Sequence, residues 1–380
     1  MSVPSPIGEG TPAHALVDLA AIRHNVGVLS AHAGGAETLV AVKADGYGHG
    51  LVESGRAALE GGASRLGTAV LAEAFALREA GVTAPLLTWI IPPGAPIARA
   101  IELDVELSAA APWLVDEIAG AARAVGRTAR VHLKVDTGMS RGGATPAEWA
   151  ELVDRALAVQ AEGAVEIVGL WSHLACADMP GHPSIEVQLG AFHEALGIAE
   201  KMGAAGSHVI RHLANSAAIL TLPEARYDMV RAGVAAYGLS PIPQLGTFGL
   251  VPAMTLVATV ALSKRVPQGT EVSYGHHYVT DRETTLGLVP LGYADGVLRH
   301  AGGQVEVLAA GRRHRIAGRV CMDQFVIDVG DAALAAGDEV ILFGSGRDGE
   351  PTAQEWADTL GTITHEIVTR IGSRVPRVYR

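Results

Sequence analysis

The 380-residue sequence contains few cysteines and no long apolar run. Its two cysteines, Cys176 and Cys321, cannot build a disulfide framework, and their separation matches no zinc pattern. The apolar stretches are interrupted well short of the roughly 20 residues that a bilayer span needs. With 29 basic against 40 acidic residues, the net charge of −11 argues against nucleic-acid or anionic-membrane partners, because no net positive field attracts polyanions.

What the chain does contain is typical of a soluble two-domain enzyme, with 49% apolar and 18% charged residues. Residues 1–13 form an N-terminal extension without the basic and apolar regions of a signal peptide, so we expect a cytoplasmic location. Lysine is scarce beside arginine, and the four lysines are Lys43, Lys134, Lys201 and Lys264. The presence of these few lysines in an arginine-rich chain is a weak hint that one of them acts through its amine. The hint is weak because composition bias alone also leaves a few lysines at random.

From residue 15 to about 235, short apolar runs alternate with longer segments of helical period. The predicted strands are Thr38–Val42, Arg65–Val70, Pro85–Ile90, Val105–Ala109, Arg130–Val135, Glu166–Leu174, His208–Leu213 and Tyr227–Arg231. Eight strands that alternate with helices predict an α/β fold, a (β/α)8 TIM-like barrel over residues 14–243. A doubly wound open sheet is the structural alternative.

The pattern changes near residue 243, where Pro241, Pro243 and Gly246 mark a linker. β-branched runs then dominate residues 244–380, namely Met254–Leu262, Thr284–Leu291, Gln304–Leu308, Phe325–Val329 and Glu339–Phe343. Each run is bounded by Gly, Asp or Pro turns. The second half of the chain is therefore predicted to be a mostly β C-terminal domain.

Polar side chains follow five predicted barrel strands at their carboxyl ends, where a β/α barrel builds its active site. They are Lys43, Lys134 with Asp136, His173, Asn215 with Ser216, and Arg231. Taken singly, each is better explained as a polar residue at the entry to a loop. Their convergence on one rim argues against coincidence.

The loops after the last two barrel strands predict an anion site. Asn215 and Ser216 open a helix with small side chains, so backbone N–H groups and the Ser216 hydroxyl can face an anion, and Gly233 permits close approach. An ordinary N-cap serine explains this spacing equally well. A phosphate held there, with Lys43 across the barrel mouth, matches the layout of pyridoxal 5'-phosphate, whose aldehyde reaches an amine.

Motifs of other enzyme classes are absent from the sequence. There is no Walker lysine motif and no Gly-x-Ser-x-Gly elbow, and the run Gly46–Gly50 is too compact for a dinucleotide fingerprint. The adjacent His276 and His277 point to opposite faces if they lie on a strand. We therefore expect no metal site.

The polar residues belong to longer stretches that follow one another along nearly the whole chain. These stretches are Ala41–Gly50, Lys134–Arg141, Trp171–His173, Asn215–Ala217, Val230–Gly233, Val272–Gly275, Gly292–Gly296, Gly318–Gln324 and Ser373–Arg377. Together they resemble the alanine racemases, and the first matches the pyridoxal-phosphate attachment signature of that isomerase family. The resemblance implies D-alanine biosynthesis for peptidoglycan and a head-to-tail homodimer, in which the partner's β domain completes each barrel mouth.

The resemblance also implies a two-base mechanism. Lys43 would hold the cofactor as a Schiff base and act as the base for the D-enantiomer, helped by a pKa that desolvation lowers. Tyr274 of the other subunit would serve the L-enantiomer, assisted by His173 and Arg231, because a phenol with a pKa of about 10 is a poor base alone. Arg231 is always charged and would disfavour a protonated pyridine ring, which suppresses side reactions.

The remaining implied roles concern binding. The cofactor would be bound by Lys43, Tyr47, Arg141, Ser216, Arg231, Gly233, Val234 and His365. Arg141, Met322 and Tyr293 would bind the substrate. Lys134 matches a position that is often carbamylated, where the new anion would attract and orient Arg141. An unmodified Lys134 paired with a nearby carboxylate is the alternative.

One residue departs from the family pattern. His365 stands where the family usually has a tyrosine that helps to hold the phosphate and narrows the site. A racemase of serine or another small amino acid, in secondary metabolism, is therefore an alternative to an alanine racemase. Two further alternatives are a decarboxylase of the same architecture, against which Arg231 argues, and a non-catalytic pyridoxal-phosphate-binding protein, which would lack the β domain.

Overall fold

A computed structural model describes residues 11–380, so residues 1–10 of the predicted N-terminal extension lie outside the described residues. Eight parallel strands close into a barrel. They are β2 Glu37–Ala41, β3 Arg65–Thr68, β4 Leu86–Thr88, β5 Val105–Ala109, β6 Ala129–Lys134, β7 Val165–Trp171, β8 Ile210–His212 and β9 Met229–Ala232. The prediction of a barrel is thus confirmed, and the open doubly wound sheet is excluded because β9 pairs with β2.

Helices connect the barrel strands. They are α1 Leu19–Ala33, α2 Lys43–Tyr47, α3 Leu51–Glu60, α4 Leu71–Glu79, α5 Ile97–Glu102, α6 Pro112–Val125, α7 Pro146–Ala161, α8 Ser184–Met202 and α9 Ser216–Thr221. Local sequence sets their ends: Thr145 caps α7 together with Glu148, and Gly126 and Gly203 close α6 and α8 in the left-handed conformation.

The mostly β unit is also confirmed, and it contains strands and helices that the sequence patterns did not predict. Its strands are β10 Met254–Thr259, β11 Leu262–Val266, β12 Glu271–Val272, β13 Tyr278–Val279, β14 Thr284–Val289, β15 Glu306–Ala309, β16 Arg312–Arg315, β17 Phe325–Gly330, β18 Glu339–Phe343 and β19 Arg377–Tyr379. Its helices are α10 Ala353–Leu360 and α11 Thr364–Thr369. Short 3-10 turns cover Pro223–Ala225, Val234–Tyr237, Pro243–Leu245, Tyr274–His276 and Arg299–Ala301.

The first strand of the described chain, β1 Ala13–Val17, lies outside the barrel. It pairs antiparallel with β10 and parallel with β19, inside a six-stranded sheet of order β16-β15-β18-β10-β1-β19. The range 14–243 predicted for the barrel therefore contains a strand that pairs with the C-terminal sheet. The predicted boundary after residue 243 falls in the turn Pro243–Leu245 and stays a prediction.

One continuous apolar core joins the two units, with members from α1, the barrel strands and the C-terminal sheet such as Leu29, Val131 and Leu256. The helix α11 packs against the turn α2, which brings the C-terminal unit to the rim of the barrel. None of the helices within residues 11–380 is both long and apolar enough to span a bilayer.

Candidate active site

The structure gathers the predicted polar residues at the carboxyl rim of the barrel. Lys43 follows β2, Lys134 ends β6, and His173 follows β7. Ser216 comes after β8, and Arg231 lies within β9. Because parallel strands of a barrel end at the same rim, these five residues share one site.

Lys43 is presented by an unusual backbone turn. Ala44, Asp45 and Gly46 have φ of 52°, 55° and 60°, and Tyr47 continues with φ of 53°. Left-handed conformation costs a residue with a side chain roughly 1–2 kcal/mol, and such strain concentrates at functional sites where neighbours enforce it. The turn therefore needs external support.

Three contacts supply that support. The carboxylate of Glu73 accepts a hydrogen bond from the backbone N–H of Ala44 at 2.7 Å. The ring Nδ1 of His49 lies 2.9 Å from the carbonyl oxygen of Tyr47. Arg377, in the C-terminal strand β19, donates to the carbonyl oxygen of Gly48 at 2.8 Å. Both units of the protein thus hold the Lys43 turn in place.

The Lys43 amine is partly desolvated. Its Nζ lies 5.9 Å from the ring centroids of both Tyr47 and Trp89. Burial and the charge of Arg141 lower the pKa of Lys43, and the carboxylate of Glu73 offsets only part of this shift. A lowered pKa increases the fraction of neutral amine, which is the form that attacks a carbonyl carbon or accepts a proton.

Beside this amine, Tyr47, Ser216 and Gly233 form a compact polar corner, because Gly233 follows β9, the neighbour of β2. The Ser216 hydroxyl accepts hydrogen bonds from the backbone N–H of Gly233 at 2.8 Å and of Ala235 at 3.4 Å. A Cβ at Gly233 would lie 2.6 Å from the Tyr47 hydroxyl oxygen, so a side chain there would push the Tyr47 ring aside. The N-cap of α9 is Asn215, whose side chain accepts from Ala218 N–H, so the alternative of Ser216 as an N-cap is wrong.

Arg231 is buried and surrounded by neutral acceptors. It donates to the carbonyl oxygens of Ser172 at 2.7 Å and Leu213 at 3.1 Å. It also contacts the Nδ1 atoms of His212 at 2.9 Å and His173 at 3.2 Å. Burial lowers the pKa of Arg231 to about 9, and burial together with the Arg231 charge holds the pKa of His173 well below its usual value. His173 is therefore a neutral hydrogen-bonding group at neutral pH.

Lys134 lies among other cations. Its Nζ is 4.5 Å from the Trp171 ring centroid. Burial, with the charges of Arg231 and Arg141, lowers the pKa of Lys134 to about 8 although Asp136 opposes the shift. Within residues 11–380, no carboxylate comes within ion-pair distance of Lys134, contrary to the alternative of a lysine paired with a carboxylate.

His365 lies in the same site. It belongs to α11, and its ring centroid is 6.0 Å from that of Tyr47. Burial and the charge of Lys43 lower the pKa of His365, and its buried Nδ1 has no hydrogen-bond partner among the described residues. A neutral imidazole with a free ring nitrogen thus lies beside Tyr47 and close enough to Lys43 to be affected by its charge.

The other predicted residues lie on a separate face of the C-terminal unit. Tyr274, Tyr293 and Met322 are 69%, 40% and 53% exposed. Hydrogen bonds hold their loops together, for example from Tyr293 N–H to the Cys321 carbonyl oxygen at 3.0 Å. Within residues 11–380, no hydrogen bond or ring contact joins these three side chains to Lys43.

Several further residues shape the rim and were not predicted from the sequence. Glu73 resembles any acidic residue in the first turn of a helix, and Trp89 resembles a core residue, so neither carries a sequence signal. His132 and His212 interrupt apolar strands, and a polar residue within a buried strand is a usable signal. Among residues 11–380, no group of three or more His, Cys, Asp or Glu is placed to hold a metal ion.

Comparisons with known proteins agree with this geometry. The family model described as alanine racemase, N-terminal domain, matches residues 17–241, and that described as alanine racemase, C-terminal domain, matches residues 253–379. The chain is 59% identical to an alanine racemase of Frankia casuarinae over 99% of this chain and 98% of that protein. It is 56% identical to one of Thermobifida fusca, over 97% and 98%.

Solved structures show the same relation. An alanine racemase crystal structure from D-cycloserine-producing Streptomyces lavendulae matches with a TM-score of 0.95 and 54% identity, covering 97% of each chain. That of Streptomyces coelicolor A3(2) matches with a TM-score of 0.94 and 53% identity, covering 97% of this chain and 98% of that chain.

Proposed function

Because this chain belongs to the alanine racemase family, we propose that it interconverts L-alanine and D-alanine with pyridoxal 5'-phosphate as cofactor. The observation that carries the assignment of the site is the Lys43 turn. A desolvated amine stands on an enforced left-handed turn beside the polar corner of Tyr47, Ser216 and Gly233. The enzyme is an isomerase, as its relatives at 53–59% identity are.

The residues at the rim fit the cofactor. The missing Cβ at Gly233 leaves room beside the Tyr47 and Ser216 hydroxyls, which would hold the phosphate together with the Val234 backbone. The free Nδ1 of His365 adds a polar atom on the same side. The Lys43 amine would bind the aldehyde. When bound, the cofactor supplies a conjugated ring that stabilises negative charge at the α-carbon of the amino acid.

Arg231 sets the electronic environment of the site. Its guanidinium is buried between the carbonyl oxygens of Ser172 and Leu213 and would direct an N–H donor at the pyridine nitrogen. A cationic donor at that place opposes protonation of the ring, whereas a carboxylate would favour it. By this contact Arg231 would limit the electron withdrawal that the bound ring supplies, which would favour return of the proton over transamination.

Racemisation needs a base on each face of the α-carbon. Lys43 is suited to one face because its pKa is lowered. The partner subunit's Tyr274 would serve the other face in a homodimer, and the exposure of Tyr274 in its own chain supports this arrangement. His173, held neutral beside Arg231, accepts from the guanidinium at Nδ1 and so carries its proton on Nε2, which would donate to the tyrosine oxygen and stabilise its deprotonated form.

Three further residues would orient the substrate. Arg141 would reach its carboxylate side, and the partner subunit's Met322 and the partner subunit's Tyr293 would approach from the face described above. The pKa of Lys134, lowered to about 8, gives it a larger neutral fraction at neutral pH than an ordinary lysine has, which suits it to carbamylation. The resulting anion would attract Arg141 where the unmodified lysine repels it.

The alternatives are not favoured. Nearly full-length relatives are alanine racemases, which argues against serine or another small amino acid as the main substrate despite His365. Arg231 argues against a decarboxylase, because decarboxylation gains more from a protonated ring. We place the enzyme in the cytoplasm, where D-alanine would be supplied for peptidoglycan biosynthesis.

The experiment is to incubate the protein with each L-amino acid in deuterated water and to follow α-proton exchange and loss of optical rotation. We expect alanine to lead the panel, and hydride reduction to attach the cofactor at Lys43. A preference for serine, or attachment at another residue, would overturn the proposal. Tyr274→Phe should slow reaction from L-alanine far more than it weakens cofactor binding, which tests the second base separately.

A further inference from the structure

A chain of buried polar side chains runs from the active-site rim into the barrel. The Nη1 of Arg231 lies 2.9 Å from Nδ1 of His212, and the Nε2 of His212 lies 2.9 Å from Nδ1 of His132. The Nε2 of His132 lies 3.0 Å from a carboxylate oxygen of Glu106. All four residues are buried, on four different barrel strands.

The chemistry of the groups fixes the direction of every hydrogen bond. A guanidinium can only donate, so Nδ1 of His212 is an acceptor and its proton sits on Nε2. His212 then donates to Nδ1 of His132, which in turn carries its proton on Nε2 and donates to Glu106. Both histidines are thus neutral and in the same tautomer, and the chain runs in one direction from Arg231 to Glu106.

The far end of the chain is firmly anchored. Arg65 donates to both oxygens of Glu106, at 2.8 and 2.9 Å, and Arg130 lies 3.5 Å away. Burial acts to raise the pKa of Glu106, but His132, Arg65 and Arg130 together lower it to about 2. The carboxylate is ionised, and it accepts from His132 at every pH at which the protein works.

The barrel wall leaves space for these four side chains. A Cβ at Gly169, on the neighbouring strand β7, would lie 2.0 Å from Nδ1 of His132. The register of β6 and β7 shifts between Val131 and His132, next to this gap. The Trp171 ring stacks on His212, with centroids 5.5 Å apart and planes 8° apart. The imidazoles are therefore held in one position each.

We propose that Glu106 and His132 are positioning residues for Arg231. They keep His212 in the tautomer that accepts a hydrogen bond, and so hold the guanidinium where the pyridine nitrogen of the cofactor would lie. The place of the cofactor rests on the proposed function, whereas the direction of the chain follows from the side chains alone.

The substitution Glu106→Gln tests the proposal because it should reverse the chain. Arg65 can only donate, so it takes the amide oxygen, and the amide NH2 then turns to His132. His132 would move its proton to Nδ1, and His212 would do the same, which sets an N–H against Nη1 of Arg231. We expect the turnover number for alanine to fall by about tenfold or more, which corresponds to a barrier higher by ~1.4 kcal/mol. The change in KM should be smaller, because Arg231 does not bind the amino acid itself.

Neutron diffraction of the wild-type protein and the variant gives a readout independent of activity. In wild type we expect deuterons on Nε2 of His132 and His212, and in Glu106→Gln on Nδ1 of both. Glu37→Gln is the matched control, because Glu37 also pairs with Arg65, at 2.7 Å, but has no contact with either histidine among the described residues. That variant should keep wild-type tautomers and turnover.

The outcomes separate the two ideas. The proposed hydrogen-bond chain would be refuted by deuterons on Nδ1 of the histidines in wild type. It would also be refuted by unchanged tautomers and turnover in Glu106→Gln. Either result would count even if the enzyme racemises alanine. Wild-type protein with the expected tautomers but no racemase activity would overturn the proposed function and leave the chain intact. If Glu106→Gln fails to fold, the wild-type deuteron positions still decide the direction of the chain.

Discussion

Gly233→Ala should weaken cofactor binding without unfolding the protein. The new Cβ would lie 2.6 Å from the Tyr47 hydroxyl oxygen and 3.6 Å from the Ser216 hydroxyl oxygen. The Tyr47 ring must move away, so at least one hydrogen bond to the phosphate is lost. A hydrogen bond to a charged group contributes about 1.5–3 kcal/mol, which corresponds to a loss of affinity of roughly 10- to 100-fold.

The assay is titration of apoprotein with pyridoxal 5'-phosphate, followed by absorbance, beside a thermal melt of each apoprotein. Gly197→Ala is the matched control, since that glycine lies in α8 and a Cβ there meets nothing within 4 Å. Unchanged affinity in Gly233→Ala, with a normal melting curve, would refute the assignment of this corner to the phosphate.

Three other changes test the site. Ala44→Gly should stabilise the apoprotein by about 0.5–1 kcal/mol in urea titrations, because glycine adopts left-handed φ without steric cost; destabilisation would show that the turn is unstrained. Glu73→Gln should destabilise the apoprotein by roughly 1–3 kcal/mol, because the new NH2 group would face the backbone N–H of Ala44 or of Ala69, where a carboxylate oxygen now accepts. Glu79→Gln in the same helix is the control and should have little effect on stability. Carbamylation of Lys134 should rise as the pH passes about 8, because the neutral amine is the reactive form. The carbamate can be detected by 13C NMR with labelled bicarbonate, with Lys134→Met as the blank. A carbamate signal that persists in Lys134→Met would contradict the assignment to Lys134.

The barrel could be predicted because most of its strand residues are buried and apolar and its helices have apolar residues at helical spacing. All eight barrel strands overlap the predicted runs. The short strands β12, β13, β16 and β19 could not be predicted in this way. The segment of β16, Arg312–Arg315, contains three arginines and has no apolar alternation, so its half of the hairpin with β15 across Ala310 and Gly311 carries no hydrophobic pattern.

The site residues that lie at the carboxyl ends of barrel strands could be predicted from the sequence. Lys43 and Ser216 follow the ends of β2 and β8 by a few residues and Arg231 lies within β9, so their convergence could be inferred from the barrel alone. The support of the Lys43 turn by Glu73 and Arg377 could not, because it joins residues far apart in sequence through backbone atoms. Backbone hydrogen bonding carries no residue-type signature.

The pairing of β1 with β10 and β19 has a consequence for synthesis of the protein on the ribosome. β1 is made before the barrel strands, yet its sheet neighbours, Met254–Thr259 and Arg377–Tyr379, are made only after the whole barrel. For most of elongation both edges of the nascent strand are open to pairing with other chains. A truncated product that stops at the linker would keep this exposed strand, so nonsense truncations should aggregate rather than yield a free-standing barrel.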